Sequence, residues 1–127
     1  MELRTVEWKD NCVIMIDQTK LPNKLIFVKY SDYKEVAEAI RTLVVRGAPA
    51  IGVSGAFGMA LAALQSSSDN TQDLLSDLEN AKKILFETRP TAVNLSWGLE
   101  KIMSVAKQGK TVSEIRDTVI AKAKEMA

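Results

Sequence analysis

The sequence of 127 residues contains no histidine and a single cysteine, Cys12. Without histidine it lacks the commonest general base and the commonest metal ligand, and one cysteine does not supply a zinc site. One cysteine also excludes an internal disulfide, which is typical of a reducing compartment. We therefore expect no metal site in this chain, and we expect a cytoplasmic protein.

Net charge is also low, at +1 from 17 basic and 16 acidic residues. A nearly neutral chain offers no broad basic surface, which argues against nucleic acid or an anionic membrane as a partner. The most apolar segment, residues 48–64, is shorter than the roughly 20 residues that a membrane span needs, and it is interpreted as a buried helix. The start, Met1–Arg4, lacks the pattern of a signal peptide.

The composition that is present, 46% hydrophobic and 26% charged, is that of an ordinary globular domain. The length suits one domain. We predict a single α+β domain over residues 1–127. A small three-stranded antiparallel sheet within residues 1–30 is expected to pack on a bundle of about five helices within residues 31–127.

Three short segments rich in β-branched and aromatic residues predict the sheet, and short turns separate them. They are Val6–Lys9, Cys12–Ile16 and Leu25–Tyr30. Cys12 is interpreted as a small core residue rather than a nucleophile. Asp17–Thr19 follows the second strand, and it is either a turn held by the aspartate side chain or a ligand contact.

Helical periodicity predicts helices that begin near residues 32, 49, 71, 91 and 111. In the second helix Gly52, Gly55 and Gly58 recur every third residue, and we predict that they share a face. Glycine destabilises a helix interior by roughly 1 kcal/mol relative to alanine, so three of them indicate a close neighbour. Helix–helix packing is the favoured interpretation, and ligand contact is the alternative.

The first candidate site lies where the second helix begins. Arg46 precedes Gly47 and Ala48, and Pro49 suits the first position of a helix because its missing N–H would be unpaired there. The first N–H groups of the helix and the guanidinium would point into the same space, which fits the phosphate of a small metabolite. A tight helix connection whose arginine reaches solvent fits equally well.

Thr88–Thr91 repeats this logic with a second arginine, Arg89, and a second helix start. The alternative is a capped helix without a ligand. Thr91 and Asn94 are candidates to line the pocket together with Pro49, whereas Trp97 is interpreted as a core residue. A sugar phosphate would be held well by two such helix starts.

Both stretches resemble the signature motifs of the methylthioribose-1-phosphate isomerases. They read VRGAPAIGV at residues 45–53 and TRPTAVNL at residues 88–95, and the opening segments at 7–10 and 16–19 resemble the same family. The resemblance covers essentially the whole chain. It extends to a superfamily with the alpha, beta and delta subunits of translation initiation factor 2B and with archaeal ribose-1,5-bisphosphate isomerase.

The resemblance implies an isomerase that converts 5-methylthioribose 1-phosphate to 5-methylthioribulose 1-phosphate in methionine salvage, without a cofactor. It implies substrate contacts at Arg46, Gly47, Ala48 and Arg89. It places the catalytic cysteine and aspartate in a second, Rossmann-like domain, which we expect beyond Ala127. No catalytic residue is therefore expected in this chain, and the 127-residue fragment is expected to be inactive alone.

The implied partners are a sugar phosphate, the protein's own second domain and, mainly through that domain, a second copy. Two alternatives stay open. One is a regulatory subunit similar to translation initiation factor 2B, which binds a protein instead of converting a sugar. The other is a ribose-1,5-bisphosphate isomerase. The presence of both Arg46 and Arg89 favours an enzyme.

Overall fold

The computed structural model describes residues 6–20, 23–42 and 48–126. Within these ranges three strands come first and five helices follow, with a 3₁₀ turn after the second strand, which confirms the predicted α+β class. The strands are β1 (Val6–Lys9), β2 (Cys12–Ile16) and β3 (Phe27–Tyr30). The helices are α1 (Tyr33–Arg41), α2 (Ala48–Gln65), α3 (Thr71–Thr88), α4 (Val93–Ala106) and α5 (Val112–Met126).

The sheet is antiparallel in the order β1-β2-β3. Asp10 and Asn11 join the first two strands with φ angles of 53° and 60°, the left-handed conformation that tight hairpin turns require. The third strand begins at Phe27, two residues later than predicted. Phe27 pairs with Ile16, the last residue of β2, so Leu25 has no partner in that strand.

The central helix of the fold is α2, which packs against all four other helices and against β1 and β2. It is apolar on all sides, as a helix surrounded by protein should be. Trp8 of β1 lies on Phe57 of α2 with ring centroids 5.6 Å apart, and this contact joins the sheet to the bundle. None of the helices described here is long and apolar enough to cross a membrane.

A polar network closes the C-terminal end of α2. Arg116 of α5 donates from Nε to the carbonyl of Ala63 (2.8 Å) and from Nη2 to that of Ser66 (2.5 Å). The carbonyl of Ala63 belongs to the last turn of α2 and that of Ser66 to the residue after it, where carbonyls have no partner within the helix. The hydroxyls of Ser66 and Ser68 donate to Asp77 of α3 at 2.6 and 2.9 Å. The network therefore ties α3 and α5 to the same end of α2.

Because of the two hydrogen bonds from Ser66 and Ser68 to Asp77, we expect the folded protein to lose a little stability in acid. They lower the pKa of Asp77 below its ordinary value of 3.8. The free energy of unfolding that ionised Asp77 contributes is therefore fully present above pH 3.8, its pKa in the unfolded chain. It is lost as the pH falls through the lower pKa of Asp77 in the folded protein. The carboxylate is exposed, so solvent screening keeps the effect small. We expect the Tm, measured between about pH 5 and about pH 1, to fall by an additional amount in the wild type that is missing in Asp77→Asn.

The matched control for this measurement is Asp117→Asn, because Asp117 is exposed on α5 and makes no hydrogen bond among the described residues. It should keep the wild-type acid profile. An Asp77→Asn profile identical to the wild type would show that the two serine hydroxyls do not stabilise the folded state.

Candidate functional site

The starts of α2 and α4 lie side by side at one end of the domain. A Cβ on Gly98 of α4 would stand 2.7 Å from the backbone oxygen of Gly52, and one on Gly52 would stand 2.9 Å from that of Asn94. Only glycine allows two backbones to approach so closely. Gly52 is four residues into α2, about 6 Å along its axis, and Asn94 is the second residue of α4. Both N-terminal ends therefore open on the same side.

The glycines of α2 serve helix packing, as predicted, but they do not share one face. Gly52 and Gly55 face α4, whereas a Cβ on Gly58 would meet Leu85 of α3 at 3.1 Å and Val36 of α1 at 3.4 Å. A helix has about 3.6 residues per turn, so each step of three residues rotates the position by about 60°. Two steps carry Gly58 onto a different neighbour, and the prediction of a single face was wrong.

The first turn of α4 lacks a side-chain cap. In α1, α3 and α5, Asp32, Asn70 and Thr111 each accept a hydrogen bond from an N–H group of the first turn. Ala92 holds the equivalent position of α4 and has no acceptor atom in its side chain. The first backbone hydrogen bond of α4 runs from the N–H of Ser96 to the carbonyl of Ala92 (3.1 Å). The N–H groups of the three residues between them, 93–95, have no acceptor among the residues that the structure describes.

Pro90 lies in a turn before α4, not in the helix. The N–H of Ala92 donates to the carbonyl of Arg89 at 3.0 Å, which places Pro90 at the second position of a four-residue turn, where proline is favoured. The helix therefore begins at Val93, two residues later than predicted. Thr91 precedes the cap position and is exposed, so its hydroxyl is not the cap.

The other predicted site residues are distributed as follows. Ala48 begins α2, Pro49 is exposed in its first turn, and Asn94 is exposed in the first turn of α4. Arg46 and Gly47 lie outside the described residues and directly precede Ala48 in the chain. The structure thus brings the described candidates on α2 and α4 to one end of the domain.

Arg89 joins α3 to this end. It is the C-cap of α3, and its N–H donates to the carbonyl of Phe86 at 3.2 Å. Its side chain is half-buried, and no carboxylate of the described residues lies within ion-pairing distance of it. Thr88 uses its hydroxyl locally, because it donates to the carbonyl of Leu85 at 2.5 Å. Of these two residues, Arg89 is the one whose polar group is not used by the described fold.

Trp97 was predicted in the core, and this prediction is wrong: 57% of its surface is exposed. Leu95 and Leu99 take the inner face of α4, and Trp97 points the other way because it lies midway between them along the helix. Val93, one turn earlier on the same side, is 78% exposed. The Lys101 ammonium lies 5.8 Å from the indole centroid. A helical projection anchored on the leucines would have revealed this orientation.

Two predictions for the sheet are also resolved. Cys12 is half-buried rather than in the core, because Val13 and Met15 take the face toward the helices and side chains alternate along a strand. Asp17 accepts from both the N–H (2.9 Å) and the hydroxyl (2.5 Å) of Thr19. This is the turn held by an aspartate side chain, one of the two interpretations of Asp17–Thr19.

The described residues outside this end offer a cavity but no group of metal ligands. They contain no group of three or more carboxylate or cysteine side chains that could hold a metal ion. A cavity of about 320 Å³ lies at the opposite end of α2, roughly 20 Å from Gly52. Two of its polar residues already serve the fold, since Gln65 accepts from the N–H of Tyr33 and Asp77 accepts from two serines.

Residues 44–127 match the Initiation factor 2 subunit family. The chain is 48% identical over 97% of its length to the methylthioribose-1-phosphate isomerase of Geobacter metallireducens. It is 49% identical, again over 97% of its length, to the protein of the same name from Citrifermentans bemidjiense. In both cases it spans 36% of the relative's own length.

Two solved structures share the fold. The 5-methylthioribose 1-phosphate isomerase from Pyrococcus horikoshii OT3 superposes with a TM-score of 0.94 and is 41% identical over 99% of this chain. The translation initiation factor eIF-2B, subunit delta, from A. fulgidus superposes with a TM-score of 0.93 and is 40% identical over 98% of this chain. This chain covers 36% of each of those proteins.

Proposed function

The chain belongs to the Initiation factor 2 subunit family, and from this premise we propose that it is the N-terminal, substrate-binding part of a methylthioribose-1-phosphate isomerase. The observation that supports this proposal most directly is the pair of adjacent helix starts, one of them without a side-chain cap. Relatives of that name at 48% and 49% identity supply the substrate class.

Adjacent helix starts form a site suited to a phosphate. Each helix N-terminus carries about half a positive charge, and its first N–H groups point outward. In this proposal the sugar phosphate lies over both ends, where Arg46, Gly47, Ala48 and Arg89 contact it. A guanidinium adds charge-assisted hydrogen bonds in fixed geometry, which a lone helix end cannot supply.

Three further residues complete the rim of this site in the proposal. Pro49 and Asn94 are exposed at the two helix starts, and Thr91 is exposed in the turn between Arg89 and α4. Their positions would orient the sugar rather than react with it. Such positioning is itself a large part of catalysis, because it replaces the entropy loss of bringing reacting groups together.

The chemistry of the reaction explains why a second domain is part of the proposal. In an aldose 1-phosphate, C1 is locked in a glycosyl phosphate, so the ring must open before hydrogen moves between C1 and C2. An acid–base pair in a pocket without water would serve this step. The described residues offer no buried pair of that kind at the helix starts. We place the pair in the part of the relatives' length that this chain does not span, and we expect the 127-residue chain alone to be inactive.

A regulatory role is the second candidate, because the initiation factor subunit from A. fulgidus has the same fold at a TM-score of 0.93. Such a subunit would bind a protein partner. A ribose-1,5-bisphosphate isomerase is the third, because its substrate presents the same kind of anion. The uncapped α4 and the half-buried Arg89 favour an enzyme, which we propose acts in methionine salvage in the cytoplasm.

An assay for carbonyl formation by the full-length protein tests the proposal. Methylthioribose 1-phosphate and ribose 1,5-bisphosphate are offered in parallel, with the 127-residue chain as the blank. We expect turnover of the first sugar. Turnover of the second sugar alone would identify the other isomerase. If neither sugar is converted, the isomerase is refuted and the protein-binding subunit becomes the favoured function. Turnover by the 127-residue chain would show that the catalytic groups lie within it.

A further inference from the structure

The cavity of about 320 Å³ at the C-terminal end of α2 lies between the start of α1 and the first half of α3. Hydrogen bonds between these elements hold its walls in place. Gln65, the last residue of α2, accepts from the N–H of Tyr33, the first residue of α1, at 2.7 Å. Asp77 of α3 accepts from Ser66, which follows α2 directly. We call this the polar cavity, and its polar lining comes from residues 32–34, 65–67, 77 and 80.

The lining of the polar cavity differs from that of most small-molecule sites. Its volume is at the lower end of the about 300–1,000 Å³ that is typical of such sites, but their walls are mainly apolar. Here, apart from Tyr33 and Ala62, the lining consists of two carboxylates, two amides, two hydroxyls and one ammonium group. An apolar ligand would leave these groups without partners, which is unfavourable. The cavity therefore suits a polar ligand.

Several polar atoms of this lining are not used by the described fold. Asp77 accepts both serine hydroxyls through Oδ2, which leaves Oδ1 as an acceptor. Gln65 accepts through Oε1, so the two N–H donors of its amide remain. The side chain of Asn80, one turn after Asp77, makes no hydrogen bond to the residues that the structure describes, and an amide both donates and accepts. The polar cavity thus offers donors and acceptors together.

A charged ligand fits this lining poorly. The start of α1 cannot hold an anion, because its first N–H groups are occupied. The N–H of Tyr33 donates to Gln65. Those of Lys34 and Glu35 donate to Asp32, the first to its carboxylate at 2.8 Å and the second to its carbonyl at 3.0 Å. A cation would be repelled by Lys34 in the lining, and it would leave the amide N–H donors without an acceptor.

We propose that the polar cavity binds a small uncharged polyhydroxy compound of the size of an unphosphorylated pentose or hexose. A hydroxyl both donates and accepts. Hydroxyls on neighbouring carbons donate to Oδ1 of Asp77 and accept from the amides of Gln65 and Asn80. The polar cavity lies roughly 20 Å from Gly52, at the other end of α2 from the candidate phosphate site, so this inference does not depend on the proposed function.

Saturation-transfer NMR with the full-length protein tests the ligand class. The probes are D-ribose, D-glucose and myo-inositol, each at about 20 mM. This is well above the dissociation constant of about 1 mM expected for an open site and a ligand of about ten to twelve non-hydrogen atoms. We expect transfer to at least one of the three. Transfer to none of them would overturn the proposal. Transfer to 1,4-diaminobutane alone would overturn it too, because the ligand would then be a cation.

Two variants of Asn80 locate the bound polyol. Asn80→Trp fills part of the polar cavity and should weaken binding at least about tenfold by steric exclusion. Asn80→Leu keeps the size of the side chain but removes its hydrogen bonds, and should weaken binding about two- to tenfold. Asn80 is exposed, so neither variant should change the Tm. Wild-type binding in both variants would overturn the proposal.

The matched control is Lys83→Trp, which places the same side chain at an exposed position of α3 outside the lining. It should bind the polyol like the wild type. Equal losses in Lys83→Trp and Asn80→Trp would overturn the proposal, because the effect would then not come from the cavity.

Arg89→Ala separates the polar cavity from the starts of α2 and α4. It should leave polyol binding unchanged. Loss of binding in Arg89→Ala but not in Asn80→Trp would place the polyol at the helix starts and overturn the proposal. None of these measurements depends on turnover, so the cavity and the proposed isomerase can fail separately. Polyol binding that requires Asn80, in a protein that converts neither sugar phosphate, would support the first and refute the second.

Discussion

Replacing Arg46 or Arg89 by alanine in the full-length protein should lower kcat/KM for the sugar phosphate by about a hundredfold. A hydrogen bond to a charged group contributes about 1.5–3 kcal/mol, and about 1.4 kcal/mol corresponds to a tenfold change. Arg89 is half-buried at the turn before α4, and no ion pair with a described carboxylate occupies its guanidinium. Steady-state kinetics with methylthioribose 1-phosphate measures the effect.

Two control variants make this result specific. Arg41→Ala removes an arginine that pairs with Glu38 on the exposed side of α1, and it should leave the kinetics unchanged. Arg89→Lys keeps the charge but loses the planar fork of donors, so it should recover only part of the activity. If Arg46→Ala and Arg89→Ala both show wild-type kinetics, the assignment of the site is wrong.

Substituting alanine for Gly98 should destabilise the domain by about 2 kcal/mol, because the added methyl has no room. Its Cβ would lie 2.7 Å from the backbone oxygen of Gly52, and a backbone atom cannot rotate away as a side chain can. The helices must separate, which also moves apart the two starts proposed to hold the phosphate. Denaturant unfolding measures the first effect, and KM in the full-length protein measures the second.

Gly58→Ala is the matched control within the same bundle. Its Cβ would meet the ends of the Leu85 side chain at 3.1 Å, and these can shift. Alanine is also favoured over glycine in a helix by roughly 1 kcal/mol, so the net change should be near zero. If Gly98→Ala is as stable as Gly58→Ala, the contact between α2 and α4 does not require glycine.

Local patterns in the sequence predicted most of the elements. The turn between the first two strands and the start of α3 at Thr71 depend on residues within a few positions, and both were predicted correctly. The start of α4 was missed by two residues, because a turn around Pro90 competes with the first helical turn. Arg46 lies outside the described residues, so its role stays a prediction.

Residue types and periodicity alone determined that this chain forms a small sheet followed by a helical bundle, and that Arg46 and Arg89 shortly precede predicted helix starts. Only the tertiary structure decided that the starts of α2 and α4 are neighbours, that Gly58 faces α3 and α1 rather than α4, and that Trp97 points outward. The reason is physical. Backbone conformation follows from neighbours within about one helical turn, whereas burial depends on partners far away in the chain.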